Sequence, residues 1–198
     1  MTSRDTILAR LRAAPHAAPA RPAPWRPAPV DDPAAQFTAR LTAVFGTAER
    51  LGSPADIPAA AALYLAAHNL PLCAAIAAEF AALDWEKAGL TPLPPPSKAS
   101  VSAAIARAQA ASAETGTLLL ASPDPEGPWP NLLADTHIAV LSQAAICASF
   151  EDAVTRRAGN RLPRSLHAVT GPSRTGDIEQ TLELGAHGAV RLHVLIVP

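Results

Sequence analysis

Between Thr2 and Ala14, Ile7, Leu8 and Leu11 recur at helical spacing among Arg4, Arg10 and Arg12, which predicts a short amphipathic helix. Pro33 to Phe45 repeats the pattern, with Phe37, Leu41, Val44 and Phe45 inward and Asp32 placed to cap the first turn. Asp56 to His68 predicts a third helix, dense in alanine. Elsewhere the apolar residues gather in runs too short for helices: Leu72 to Ala77, Thr117 to Ala121 (TLLLA), His137 to Leu141 (HIAVL), His167 to Thr170 (HAVT) and Leu192 to Val197 (LHVLIV). Such runs read as strands buried on both faces. Helical patterns at Glu151 to Arg157 and Asp177 to Leu184 fall between the later ones. Strands alternating with helices predict an α/β fold, a sheet covered on both faces. No repeat of about 20 to 50 residues is visible.

Proline punctuates this pattern twice. In APHAAPARPAPWRPAPVDDP it recurs every two or three positions, removing backbone donors and pushing each preceding residue out of the α region. That predicts an extended, polyproline-like arm, a solvated linker or one anchored on a partner through Trp25. The chain therefore divides into a helix and Pro/Ala-rich arm over residues 1–30 and a folded domain over 31–198. Pro92 to Pro96 forms a second proline cluster, which separates the domain's halves.

Composition narrows the function classes. Hydrophobic residues make up 49% of the 198 and charged residues 17%, a globular balance, but aromatics are only 4%, so the core must be built from Ala, Leu, Val and Ile. A formal net charge of −1 removes the electrostatic case for nucleic acid or an anionic membrane as partner. Cys73 and Cys147 stand far apart in apolar runs and read as buried free thiols, without metal or redox spacing. No run approaches the roughly 20 apolar residues of a membrane span, and the N-terminus has no signal-like apolar stretch; a cytoplasmic location is the expectation.

Candidate chemistry collects in three places. Residues 170–188 read TGPSRTGDIEQTLELGAHG. HAVT would end a strand, Gly171-Pro172 would turn the chain, and Asp177 would begin a helix carrying Ile178, Leu182 and Gly185 on one face. Ser173, Thr175 and Asp177 suit a helix start, where backbone donors lack partners. Arg174 beside such donors would suit a carboxylate or phosphate, and a strand's carboxyl end is where open α/β sheets place ligands. The competing reading is a plain helix cap with Arg174 in solvent. His187, between Gly185 and Gly188, lies where backbone and ligand can approach closely. The second place is Glu114-Thr115-Gly116-Thr117, where Glu114 offers a general base or nucleophile beside two hydroxyls, or simply an exposed acid at a strand start. The third is Asp135-Thr136-His137, an acid near an imidazole, against the alternative of a core histidine. His193 within LHVLIV reads as structural. Neither a P-loop nor GxGxxG is present, and Ser173, His187 and Asp135 lack the GxSxG elbow a serine triad would bring.

AETGTLLL (113–120), LLADTHIAVL (132–141), TGPSRTGDIEQTLELGAHG (170–188) and RLHVLIV (191–197), in this order, resemble the LUD-domain family, and within it the lactate-utilisation protein C group. The resemblance covers about the last hundred residues; the first half keeps only the order of helices and strands. Two departures loosen the backbone without removing a functional group: Ala189 stands where the family has proline, and Gly176 where it has alanine before the Asp. The resemblance implies a NagB/RpiA/CoA-transferase-like domain with a largely parallel sheet flanked by helices. It further implies a role in an iron–sulfur system oxidising L-lactate to pyruvate, alongside iron–sulfur and cysteine-rich subunits.

On that reading no cofactor is bound by this chain, because a cluster needs about four thiolates, and the clusters belong to partner subunits. A small carboxylate would sit against Thr115, Gly116, Thr117, Gly171, Ser173, Arg174, Thr175, Asp177 and Gly188, with Glu114 and His187 as candidate catalytic groups. Two alternatives stay open. One is a stand-alone enzyme of the same fold acting on a sugar phosphate, a CoA ester or a folate-like acid, with Glu114 as nucleophile by fold analogy. The other is a non-catalytic assembly protein docking through its arm.

Overall fold

The computed structural model describes residues 3–13, 23, 30–94, 101–121, 132–158, 163, 165–176 and 183–198. Its helices are α1 (Ser3–Ala13), α2 (Pro33–Ala43), α3 (Ile57–Ala67) and α4 (Phe150–Ala158). Its strands are β1 (Thr47–Arg50), β2 (Cys73–Ile76), β3 (Thr91–Leu93), β4 (Val101–Ala108), β5 (Ala110–Ser112), β6 (Thr117–Ala121), β7 (Ala134–Ser142), β8 (Ile146–Cys147), β9 (Leu166–Val169), β10 (Arg174–Thr175), β11 (Glu183–Leu184) and β12 (Arg191–Val197).

Among the described residues six strands form one parallel sheet in the order β1-β12-β7-β4-β2-β3. The last strand of the chain inserts beside β7, the longest. LHVLIV and HIAVL occupy the centre because both their faces are covered, as continuous apolar runs require. Successive side chains of β12 serve opposite layers. Leu195 and Val197 pack with Ile57, Ala61 and Leu65 of α3 and with Phe80, Trp85 and Leu90. Leu192, Val194 and Ile196 pack with Phe37 and Leu41 of α2 and with Leu118 and Leu120 of β6. Each fully buried Leu or Phe contributes on the order of 2 kcal/mol.

TLLLA and HAVT do not join this sheet. They lie in a second, four-stranded mixed sheet ordered β8-β5-β6-β9, with β6 antiparallel to both β5 and β9. Leu118 and Leu120 face the main sheet while Leu119 faces α4, against Ala110 and Ala153. The layers therefore run α3, parallel sheet, α2 with the small sheet, then α4. The alternation of β6 between two apolar layers explains why its run is unbroken.

Capping follows the sequence closely. Asp32 Oδ1 accepts from Ala35 N–H at 2.9 Å and Pro33 opens α2. Ser149 Oγ accepts from Asp152 N–H at 3.0 Å at the start of α4. Two strands escape the hydrophobic pattern. VSAAIARA (β4) is too rich in alanine to read as a strand, and TAER (β1) is a polar edge. Pro92 sits in β3, an edge strand, where a missing donor costs little. Cys73 and Cys147 are free, as expected, but half-buried rather than buried. No described helix is long and apolar enough to cross a membrane. Most of the proline arm, Trp25 included, lies outside the described residues.

Candidate functional site

The site is assembled on the C-terminal end of α2. Val44 caps the helix, and Phe45 follows in the left-handed region at φ 68°, unusual for a bulky residue. Gly46 N–H returns to Leu41 O at 3.0 Å. Two loops rest on this turn through glycines. A Cβ on Gly116 would stand 2.7 Å from Arg40 Cβ and 2.8 Å from Leu41 N. A Cβ on Gly171 would stand 2.7 Å from Val44 O. Both glycines have positive φ, +68° and +87°, so glycine is required twice over, for conformation and for space.

The same two loops are joined by hydroxyls. Thr115 Oγ1 and Thr117 Oγ1 lie 2.7 Å apart, and Thr117 Oγ1 lies 2.6 Å from Thr170 Oγ1. The register of β6 against β9 brings this about, since Leu118 pairs with Val169 and the next residues outward are Thr117 and Thr170. The second predicted place is thus physically continuous with the first.

Strand β9 ends at Val169 and the chain turns at Gly171-Pro172 as expected, but the next residues enter a ribbon. Arg174 and Thr175 form a two-stranded antiparallel ribbon with Leu184 and Glu183. Ser173 N–H donates to Ala189 O at 2.8 Å, its carbonyl accepts from Gly185 N–H at 3.2 Å, and its Oγ accepts from His187 N–H at 3.2 Å. Ribbon pairing, not helix capping, satisfies these backbone groups. The predicted helix over Asp177 to Leu184 is corrected at its end, because Glu183 and Leu184 are a strand; Asp177 itself lies outside the described residues. His187 consequently follows a ribbon rather than a helix, in the turn that leads into β12. The corner also stands at the edge of the small sheet and the entry of β12, not at the carboxyl end of a strand of the parallel sheet.

This corner encloses a cavity of about 310 Å³, lined by residues 168–175, 187–189 and Leu192. Its polar lining consists of Thr170, Ser173, Arg174, Thr175 and His187; among the described residues no carboxylate lines it. Apolar Val169, Ala189 and Leu192 complete it, a mixture usual for small-molecule sites, whose volumes run upward from about 300 Å³. The Arg174 guanidinium lies 4.2 Å over the Phe45 ring, within cation–π range. Arg174 is exposed, as the solvated reading expects, but its guanidinium is seated on an aromatic face. Ser173 Oγ, having accepted from His187, keeps its proton to donate.

The remaining predicted residues that are described fall outside the cavity, Thr115, Gly116 and Thr117 among them. Glu114 is half-buried in the turn before β6, its N–H donating to Ala148 O at 3.1 Å, and it is not part of the lining. Asp135 is exposed near the start of β7. His137 is fully buried in that strand, beside Ala104 and Leu192, and neither ring nitrogen has a hydrogen-bond partner among the described residues. Asp135 therefore does not orient it, and burial pushes its pKa down to about 4. His193 is also a core residue, its Nδ1 2.8 Å from Thr47 Oγ1 and its ring stacked on Tyr64. Val44 and Phe45 were expected on the inward face of the helix, but α2 ends at Ala43, Val44 caps it and Phe45 is exposed; neither they nor Thr170 was read as a site residue. Phe45-Gly46 after a helix was the available signal, a bulky residue and a glycine where a chain must reverse.

The family model of the LUD domain matches residues 97–197. Lactate utilization protein C 1 of Bacillus mycoides is 33% identical over 90 residues, 43% of this chain and 38% of that protein. Lactate utilization protein C of Halalkalibacterium halodurans is 33% identical over 91 residues, 43% of this chain and 39% of its own length. The matches thus span about two-fifths of these relatives. A crystal structure of a DUF162 family protein from Deinococcus radiodurans superposes with a TM-score of 0.61 at 23% identity, covering 86% of this chain and all of that one. That likeness concerns the fold: a mixed α/β domain around a parallel sheet.

Proposed function

Because this chain belongs to the LUD domain family, we propose that it serves lactate utilisation as an accessory subunit that binds a small carboxylate in the cavity at residues 168–175 and 187–189. The observation that carries the reading is the lining. Every polar side chain described there is a hydroxyl, a guanidinium or an imidazole. Such a wall favours an anion and disfavours a cation. In the proposed binding mode Arg174 pairs with the carboxylate from its seat on Phe45. Ser173, Thr170 and Thr175 donate hydrogen bonds, and Gly171 and Gly188 let the ligand approach the backbone. His187 and Leu192 close the wall.

The system would be one that oxidises L-lactate to pyruvate. This chain's own residues do not fit an iron–sulfur cluster: its two cysteines stand on β2 and β8, in different sheets, where about four thiolates would be needed. Any clusters would belong to partner subunits, and this chain's part would be to hold and orient the acid.

Thermal shift of the full chain with L-lactate, pyruvate and a neutral analogue, repeated with Arg174→Ala, tests the reading. A ligand bound only by the folded state raises its stability by RT ln(1 + [L]/Kd). Stabilisation by the acids, absent with the amide and lost in the variant, is the expected outcome. No shift with either acid, or shifts that Arg174→Ala leaves intact, would sink it.

A further inference from the structure

Helix α3 reads IPAAAALYLAA and contains no charged residue. A helix apolar on all sides belongs in an interior, yet its outward positions Ala59, Leu63, Ala66 and Ala67 are exposed, Leu63 by 71%. Beside its first turns lies a cavity of about 440 Å³, walled by Ala55, Pro58, Ala59, Ala82, Leu83 and Ala88. Asp56, Asp84 and Lys87 complete the wall. Asp56 Oδ2 accepts from Ser53 N–H at 2.9 Å and Asp84 Oδ1 from Lys87 N–H at 3.1 Å, and each keeps its other oxygen outside those bonds. The surface is thus an apolar trough flanked by two carboxylates and one ammonium, Lys87, with the acids in excess.

The same chain carries its complement. Helix α1 buries none of its residues; Ile7 is exposed by 58% and Leu11 by 62%. Ile7, Leu8 and Leu11 form its apolar stripe, and Arg4, Arg10 and Arg12 surround that stripe against a single acid, Asp5. The chain between Ala13 and Val30, at up to roughly 3.5 Å per residue, is long enough to carry α1 across to a neighbouring molecule.

We propose that α1 of one molecule docks on the α3 trough of a second copy, reciprocally, giving a closed dimer by exchange of the N-terminal helix. Ile7, Leu8 and Leu11 cover Ala59, Leu63 and Leu83, and the arginines meet Asp56 and Asp84. Each molecule supplies one helix and one trough, so a two-fold pair leaves neither face open. The site is remote from the cavity at residues 168–175 in its residues, and the proposal stands independently of the carboxylate reading.

Sedimentation equilibrium and light scattering of the full chain test it. The expected result is a concentration-dependent dimer whose dissociation constant rises at least tenfold with Leu11→Glu and with Leu63→Glu, both exposed positions whose variants should keep the native circular dichroism. Mixing the two variants pairs one intact helix with one intact trough, and should restore heterodimers at an affinity between those of the wild type and the variants. Arg10→Asp should weaken the dimer, and more so at low salt. A chain monomeric throughout the concentration range overturns the proposal, including the case where α1 is protected from hydrogen exchange by docking on its own α3. A dimer unmoved by Leu63→Glu, or variants that mixing does not rescue, overturns it equally.

Discussion

Arg174 rests its guanidinium 4.2 Å above the ring of Phe45, a residue held at φ 68° and exposed by 67%. A bulky side chain in that region costs on the order of 1 kcal/mol or more, and the cation–π contact returns roughly 0.5–1 kcal/mol at an exposed site. The two nearly cancel, so stability alone does not explain the pair. What it does accomplish is to place a cation at the mouth of the cavity.

Phe45→Gly should therefore separate stability from binding. Removing the side chain relieves the left-handed strain while deleting the platform. We expect an unfolding free energy within about 1 kcal/mol of wild type, and acid-induced thermal stabilisation reduced as in Arg174→Ala. Urea titration and the thermal-shift series measure the two quantities. Full acid stabilisation in Phe45→Gly would show that the ring does not position Arg174.

The glycines at the base of the site carry a sharper expectation. Gly116→Ala must both adopt φ +68° and place Cβ 2.7 Å from Arg40 Cβ, against helix backbone that cannot swing aside. Strain and displacement of α2 together should cost about 2–4 kcal/mol in denaturant unfolding. Gly89 is the control. It also has positive φ, +72°, but a Cβ there would meet nothing within 4 Å, so Gly89→Ala should cost only about 1 kcal/mol.

These relationships mark where the sequence was legible. Runs such as LHVLIV and HIAVL announce central strands because two apolar faces leave no polar positions, and Asp32-Pro33 announces a helix start by its chemistry. The turn signals Gly116 and Gly171 were readable as well. What they rest on was not, since the contacts to Arg40 and Val44 join segments more than 70 residues apart and have no local trace. The ribbon was hidden for a related reason, since Arg174–Thr175 finds its partner in Glu183–Leu184, a pairing set by tertiary closure. Alanine hid β4 similarly, since it favours helices yet is small enough for a strand packed closely on both faces.

Thr117 links the two loops through its hydroxyl, with Thr115 on one side and Thr170 on the other. Thr117→Val keeps the shape of a side chain that is 4% exposed and removes both bonds. The loss should be about 1–2 kcal/mol, since the outer threonines can turn to water while the buried position loses its partners. A double-mutant cycle with Thr170→Val checks the assignment: the coupling energy should be clearly non-zero, and strict additivity would show that the 2.6 Å contact contributes nothing.

Acid should destabilise the fold over a definite range. His137 and His193 are buried, and burial lowers both from 6.5 to about 4, with the nearby charge of His68 adding to the effect at His193. In the folded state they stay neutral down to about pH 4, while in the unfolded chain they take up protons near pH 6.5. The unfolded state therefore binds more protons between these values, and stability falls as pH drops through that window, by up to roughly 1.4 kcal/mol per pH unit for each histidine. Asp32, lowered from 3.8 by its bonds to Ala35 N–H and Arg50, loses its contribution only below that window, as pH falls through its depressed value. Urea unfolding at pH 7.5, 6.5, 5.5 and 4.5 measures the slope (values that bracket the window, about one unit apart). His193→Gln should reduce the slope by about half. A stability flat from pH 6.5 to 4.5, or a slope the substitution leaves unchanged, would mean that these imidazoles are protonated alike in both states.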